Sequence, residues 1–148
     1  ISLWDSAIAA LVNQAHNALA SGKDPQRMGS AHPNLVPYRA FQASDGWFVI
    51  GVGSDNQWAQ LCEHLELENQ ENWHTNAGRI ADRENIESIV GEIVARYDRQ
   101  TLERLLEGVP CAPVNTITEA LNDQQSVARG VVTDYNGVQV LASPLRFY

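Results

Sequence analysis

The stretch Gly29-Ser30-Ala31-His32-Pro33-Asn34-Leu35-Val36-Pro37-Tyr38 decides how this chain is read. It gathers glycine, serine, histidine, asparagine and two prolines, then runs into an apolar segment, Phe41 to Val52, broken by Asp45-Gly46. Proline fixes φ and withholds an N–H, while glycine and asparagine suit turns, so the stretch is not helix. It predicts an ordered loop feeding a β-hairpin. The strands are Tyr38 to Gln42 and Trp47 to Val52, joined at Ser44-Asp45-Gly46, with Gly46 free to take positive φ.

Upstream, Ile8, Leu11, Val12, Ala15 and Leu19 keep the spacing of one helical face, which predicts a helix over residues 3–20. Ser21-Gly22 ends it, with Gly22 at the left-handed cap, and residues 22–34 form the loop. Downstream, Ser54 and Gln57 stand in capping-box register before a helix that turns Trp58, Leu61, Cys62 and Leu65 to one side. Glu66 to Asn76 is polar and reads as a loop. Ile86, Ile89, Val90, Ile93, Val94 and Tyr97 then mark the clearest amphipathic helix. A shorter helix starts near Thr101, uses Leu102, Leu105 and Leu106, and stops at Gly108.

Val109 to Val114 contains Pro110 and Pro113, which exclude helix and point to an edge strand or a bulge. Thr116 and Glu119 form another capping box, opening a helix to about Gln125. Asn136-Gly137 between Val131–Tyr135 and Val138–Leu141 is the strongest short hairpin signal. Strands that come in hairpins, without helices between them at βαβ intervals, indicate an α+β fold. The expected architecture is a small antiparallel sheet covered by helices, with an N-terminal linker helix.

The 148 residues suffice for one buried core, or one domain plus arms. Net charge is −8 with only ten lysines and arginines, so the basic footprint that nucleic acid requires is missing. No apolar run reaches the roughly 20 residues that span a bilayer, which argues against a membrane partner. Asp5 falls early with no basic stretch before it, so no signal peptide is expected. The first residue is not Met, which reads as a trimmed chain or a piece of a longer one. Cys62 and Cys111 lack CxxC spacing and sit among apolar residues, as buried thiols of a reducing, cytoplasmic setting would.

A search for chemistry finds no complete active site. His16, His32, His64 and His74 show no metal-ligand spacing, so no metal is expected. His16 reads as polar-face and His64 as a rim residue. His32 reads first as an imidazole satisfying backbone groups in a proline-rich loop. No G-x-S-x-G elbow, P-loop or dinucleotide fingerprint is present. Gly51 and Gly53 could admit a phosphate at a helix start, but a tight strand-to-helix turn is the simpler use. Arg79 and Arg83, one helical turn apart, could grip a phosphate or carboxylate; a helix-surface ion pair is the simpler reading.

The opening stretch resembles a segment of the family III CoA-transferases, the group of formyl-CoA transferase and carnitine CoA-transferase. That segment reads Gly-Asn-x-His-Pro-Asn-x-x-Pro-Tyr and is matched by Gly29, His32, Pro33, Asn34, Pro37 and Tyr38, with Ser30 in place of Asn. Asp45-Gly46, then Asp55-Asn56-Gln57-Trp58, then Val109-Pro110, Pro113-Val114-Asn115 and Glu119 match later elements in order. Ser2 to Ser6 is similar to the start of the helix leading out of the family's large domain, and Arg79 and Arg83 fit arginine positions.

The resemblance implies the family's small domain with its linkers: 1–28 a linker helix and loop, 29–130 the small domain, 131–148 a C-terminal hairpin or arm. It implies transfer of CoA between carboxylic acids, with CoA as a substrate and no tightly bound cofactor. The family's catalytic aspartate lies on the large domain, and no position here corresponds to it, so no catalytic residue is assigned and the chain alone is expected to be inactive. Ser30, His32, Asn34 and Tyr38 are the candidates for contacting an acyl-CoA or a small carboxylate. The alternative is a non-enzymatic binding or assembly module, a homodimer through the N-terminal helix, because the apolar stripe at 3–20 would otherwise be exposed.

Overall fold

The computed structural model describes residues 1–145. Helices α1 (Leu3–Ala9) and α2 (Val12–Ser21) lead to a hairpin of β1 (Tyr38–Ala43) and β2 (Gly46–Gly51). Helices α3 (Asp55–His64), α4 (Asn76–Ala81), α5 (Arg83–Val94) and α6 (Arg99–Leu105) follow. The short strand β3 (Cys111–Pro113) comes next, then α7 (Ile117–Asn122), α8 (Gln124–Ala128) and a second hairpin, β4 (Val132–Tyr135) and β5 (Val138–Leu141). The fold is α+β, with sheets that are antiparallel throughout.

The first sheet has the order β1-β2-β3, which puts the proline-bearing strand at an edge, as its sequence requires. Phe41 stands opposite Phe48, and both are buried together with Ala43 and Ile50, while Gln42 and Trp47 on the other face are exposed. That alternation is the mark of a sheet packed on one side. The packed side meets α3 through Trp58, Leu61 and Cys62, α5 through Ile86, Val90 and Val94, and α6 through Leu102. Buried apolar residues run from Val36 to Val109.

The turn between β1 and β2 does not use Gly46 in the left-handed region. Ser44 N–H donates to the Tyr97 carbonyl, and Asp45 accepts from Arg99 N–H, so the turn is held from outside. Gly46 is needed for space instead: a Cβ there would stand 3.1 Å from Arg99 Nε.

Four further expectations change. The helix over 3–20 is two helices, broken at Ala10-Leu11 with Val12 at φ +46°. The apolar spacing runs straight across the break, but neither helix has a buried residue, so no packing keeps the two coaxial. The helix from Thr116 also divides, because extended Asp123 (ψ 145°) caps a new start at α8. The polar stretch Glu66 to Asn76 holds a 3-10 turn, Glu71–Trp73, and Trp73 is a core residue. Its indole N–H donates to Asp82, which pays for burying it, and its ring meets Trp58 edge-on at 6.1 Å. Arg79, expected on a helix surface, lies instead on a separate short helix, α4, and is buried.

The second hairpin follows its sequence closely. Asn136 (φ +52°) and Gly137 (φ +82°) both lie in the left-handed region that a two-residue hairpin turn needs. All of β5 is exposed. Of the expected C-terminal arm, residues 146–148 lie outside the described residues.

Candidate functional site

The loop at 29–38 lies along the free edge of β1. His32 N–H donates to the Tyr38 carbonyl (2.8 Å), and Ser30 Oγ accepts from Ala40 N–H (3.1 Å). The loop therefore satisfies backbone groups that an edge strand would leave open. Gly29 at φ +60° turns the chain into this path, and the Val36–Pro37 bond is cis.

Each predicted site residue can now be placed. Asn34 N–H donates to His32 Nδ1 (3.1 Å). Nε2 lies 3.0 Å from Asn13 Nδ2. The His32 ring stacks on Tyr38 at 5.2 Å. Asn34 and Asn17 exchange a pair of amide hydrogen bonds (2.9 and 3.0 Å). Ser30 is used by Ala40. The Tyr38 hydroxyl alone of the four has no partner among the described residues, and its ring lies over Gly51, where a Cβ would come within 3.3 Å of it.

So the four residues are brought together, but three of them hold the loop's own shape. The structural use of His32 expected from sequence is what its bonds support. Gly51 leaves room for the Tyr38 ring. At the start of α3, Gln57 Oε1 accepts from Gly53 N–H (2.8 Å) and Ser54 Oγ from Gln57 N–H (3.3 Å). The capping box is thus half formed, because Gln57 reaches Gly53 rather than Ser54.

The loop is anchored from beneath by residues that sequence reasoning undervalued. Asn76 clamps it twice, accepting from Val36 N–H and donating to the Asn34 carbonyl (2.8 Å). Arg79 corrects the helix-surface expectation: it is 1% exposed. Nε donates to the Val36 carbonyl (2.8 Å), Nη1 to the Trp73 carbonyl (2.9 Å) and Nη2 to Asp55 (2.9 Å), and the guanidinium lies 5.4 Å from the Trp58 ring. Arg83 does form the expected i,i+4 pair, with Glu87 (3.1 Å), and also donates to the Pro33 carbonyl (3.0 Å). Glu87 is shared with Arg39 (2.7 Å). The clue to Arg79 was its place between Trp73 and the Ile86 stripe; the Trp73 carbonyl is six residues away, but Asp55 and Val36 lie 24 and 43 away and leave no local signal.

No group of three or more potential metal ligands occurs among the described residues. Burial pushes the Cys62 thiol up to about 11 against a lowering pull from Arg79, and burial raises Cys111 too, so neither is a ready thiolate. Both cysteines are free. Among the described residues no helix is long and apolar enough to cross a membrane. Among the described residues the site is thus a hydrogen-bonded loop surface without a thiolate nucleophile.

Comparison with known proteins bears on the family of the chain. The succinate–glutarate CoA-transferase of Agrobacterium fabrum is 34% identical over 139 residues, covering 90% of this chain and 35% of its own length. The succinyl-CoA:mesaconate CoA-transferase of Haloarcula hispanica is 35% identical over 135 residues, covering 90% and 34%. A solved structure, a CAIB/BAIF family protein from Brucella suis, superimposes with a TM-score of 0.79 at 42% identity, covering 94% of this chain and 38% of that one. The chain therefore spans about a third of the length of the relatives it matches. The profile of CoA-transferase family III matches residues 1–147, and the chain belongs to that family.

Proposed function

We propose that this chain is the small domain and linkers of a family III CoA-transferase, acting with a large domain that carries the catalytic aspartate. Residues 1–28 and 131–148 are the linkers, and 29–130 the small domain. One observation carries the reading. The buried apolar residues all lie between Val36 and Val109, while both flanks expose apolar side chains, Leu3, Trp4, Ile8 and Leu11 at one end and Tyr135, Val138, Leu141 and Leu145 at the other. Such faces belong against another protein surface.

The reaction is transfer of CoA from an acyl-CoA to a free carboxylate, and the names of the relatives support small dicarboxylates as the acids. A carboxylate attacks the thioester carbonyl and expels the CoA thiolate to give an anhydride; the thiolate then attacks the other carbonyl of that anhydride, releasing the donor acid and leaving CoA on the attacking carboxyl group. The part of this domain is to close the cleft and shape it. Ser30, His32, Asn34 and Tyr38 line the surface offered to the acyl group, and Tyr38 carries the hydroxyl left for a substrate oxygen. CoA is a substrate, not a resident cofactor, and acyl-CoA chemistry with two free thiols favours the cytoplasm.

The test is an assay with succinyl-CoA as donor and glutarate as acceptor. The isolated chain should give no turnover, and mixing it with the large-domain segment of the Agrobacterium fabrum relative should restore transfer. Turnover by the isolated chain would overturn the reading.

The exposed face of α1 and α2 also favours a second reading, a homodimer through this segment. Light scattering at high concentration checks it, and a strict monomer would end it.

A further inference from the structure

The two segments flanking the packed domain are tied to it by different chemistry. On the N-terminal side the ties are neutral amides, Asn13 to His32 and Asn17 to Asn34. On the C-terminal side the tie is charged and centres on Arg99, the first residue of α6. Its side chain is only 19% exposed. Nε reaches Asp45 at 3.4 Å, Nη1 donates to the Val114 carbonyl at 3.2 Å, and Nη2 donates to Glu119 Oε1 at 3.0 Å. Gly46 leaves the room that the guanidinium needs.

Glu119 is engaged at both oxygens. Its Oε2 accepts from Thr116 N–H at 2.7 Å, closing the capping box that starts α7. One guanidinium therefore joins the β1–β2 turn, the end of β3 and the first turn of α7. Apolar packing does not do this work, because neither α7 nor α8 has a buried residue. The planar fork of arginine suits three acceptors in fixed directions; an ammonium does not.

We propose that Arg99 is a latch that sets the direction in which residues 116–145 leave the domain, with Glu119 as its releasable half. A segment held by charge can be freed without disturbing the core, whereas one held by burial cannot. The inference goes beyond the proposed transferase role and does not depend on it.

Millisecond hydrogen-exchange mass spectrometry on the full chain tests it. Glu119→Gln keeps a residue that can close the capping box but removes the charge facing Arg99. Exchange in 117–128 should rise about threefold, the scale of losing one exposed ion pair. Residues 38–52 and α2 should not change. Raising salt from about 0.02 M to about 0.5 M should reproduce the rise in the wild type and add little in Glu119→Gln, because screening acts on charge alone. Arg99→Lys, which keeps the charge and loses the fork, should also accelerate exchange in 117–128. Unchanged exchange there in both variants would overturn the latch. So would acceleration in Glu119→Gln that spreads into 38–52, since the Arg99–Glu119 pair would then support the whole domain.

Discussion

Replacing Arg79 with alanine should bring the domain to the edge of unfolding. The side chain is 1% exposed and donates to two buried carbonyls, those of Val36 and Trp73. A buried acceptor that loses its partner costs about 1–3 kcal/mol, so two cost about 2–6. The void left under Trp58, and the lost contact of the guanidinium with that ring, add about 1–2 kcal/mol more. A total near 5 kcal/mol is comparable with the whole stability of a small domain, about 5–15 kcal/mol. The ion pair itself contributes little to this sum. Asp55 is 56% exposed on its side chain, so Asp55→Asn should cost no more than about 1 kcal/mol. Arg79→Met restores volume but leaves both carbonyls unpaired, and should still cost about 2 kcal/mol or more. Urea unfolding followed by tryptophan fluorescence measures all three, since Trp58 and Trp73 beside the guanidinium leave the core while Trp4 and Trp47 are already exposed. An Arg79→Ala loss below about 1 kcal/mol with an unchanged slope would refute the reasoning. So would Asp55→Asn matching Arg79→Ala, because the charge pair and not the two carbonyls would then dominate.

Three other outcomes are expected. Gly78→Ala drives a Cβ into the Asn72 carbonyl oxygen, a backbone atom that cannot swing aside, and should cost about 2 kcal/mol or more, read as a fall of about 5 °C or more in thermal midpoint; an unchanged melt would refute it. The Glu119 carboxyl is held down to about 2, first by Arg99 and then by the Thr116 N–H. Its folded value lies below its unfolded one, so its hold on α7 is complete above the ordinary glutamate range and fades as pH falls towards 2; an NMR titration of its side-chain carboxyl with a midpoint in the ordinary range would contradict this. Maleimide should label Cys111 at least about tenfold faster than Cys62 in the folded chain, since Cys62 is buried and its thiol lies near 11; peptide mass analysis showing equal labelling would count against the packing of α3.

Much of the fold was legible because its signals are local. Asn136-Gly137 meets the φ requirement of a two-residue turn on its own, and Thr116 and Glu119 cap each other within a single helical turn. Pro110 and Pro113 confine their strand to an edge. The motif from Gly29 to Tyr38 pointed to the family, and the comparisons show it. The breaks at Ala10-Leu11 and Asp123 were hidden because apolar spacing reports a face and not an axis, and neither face is packed here.

Only the tertiary structure decided what the opening stretch does with its polar groups. Sequence alone named His32, Asn34 and Tyr38 as candidates but could not say which of them are already engaged. His32 and Asn34 turn out to be bound to Asn13 and Asn17, about twenty positions earlier, and the backbone beneath them to Asn76 and Arg79, some forty later. Hydrogen bonds between distant residues require only the right atom at the right point in space. They impose no spacing on the sequence, so a buried arginine and a surface one are written alike.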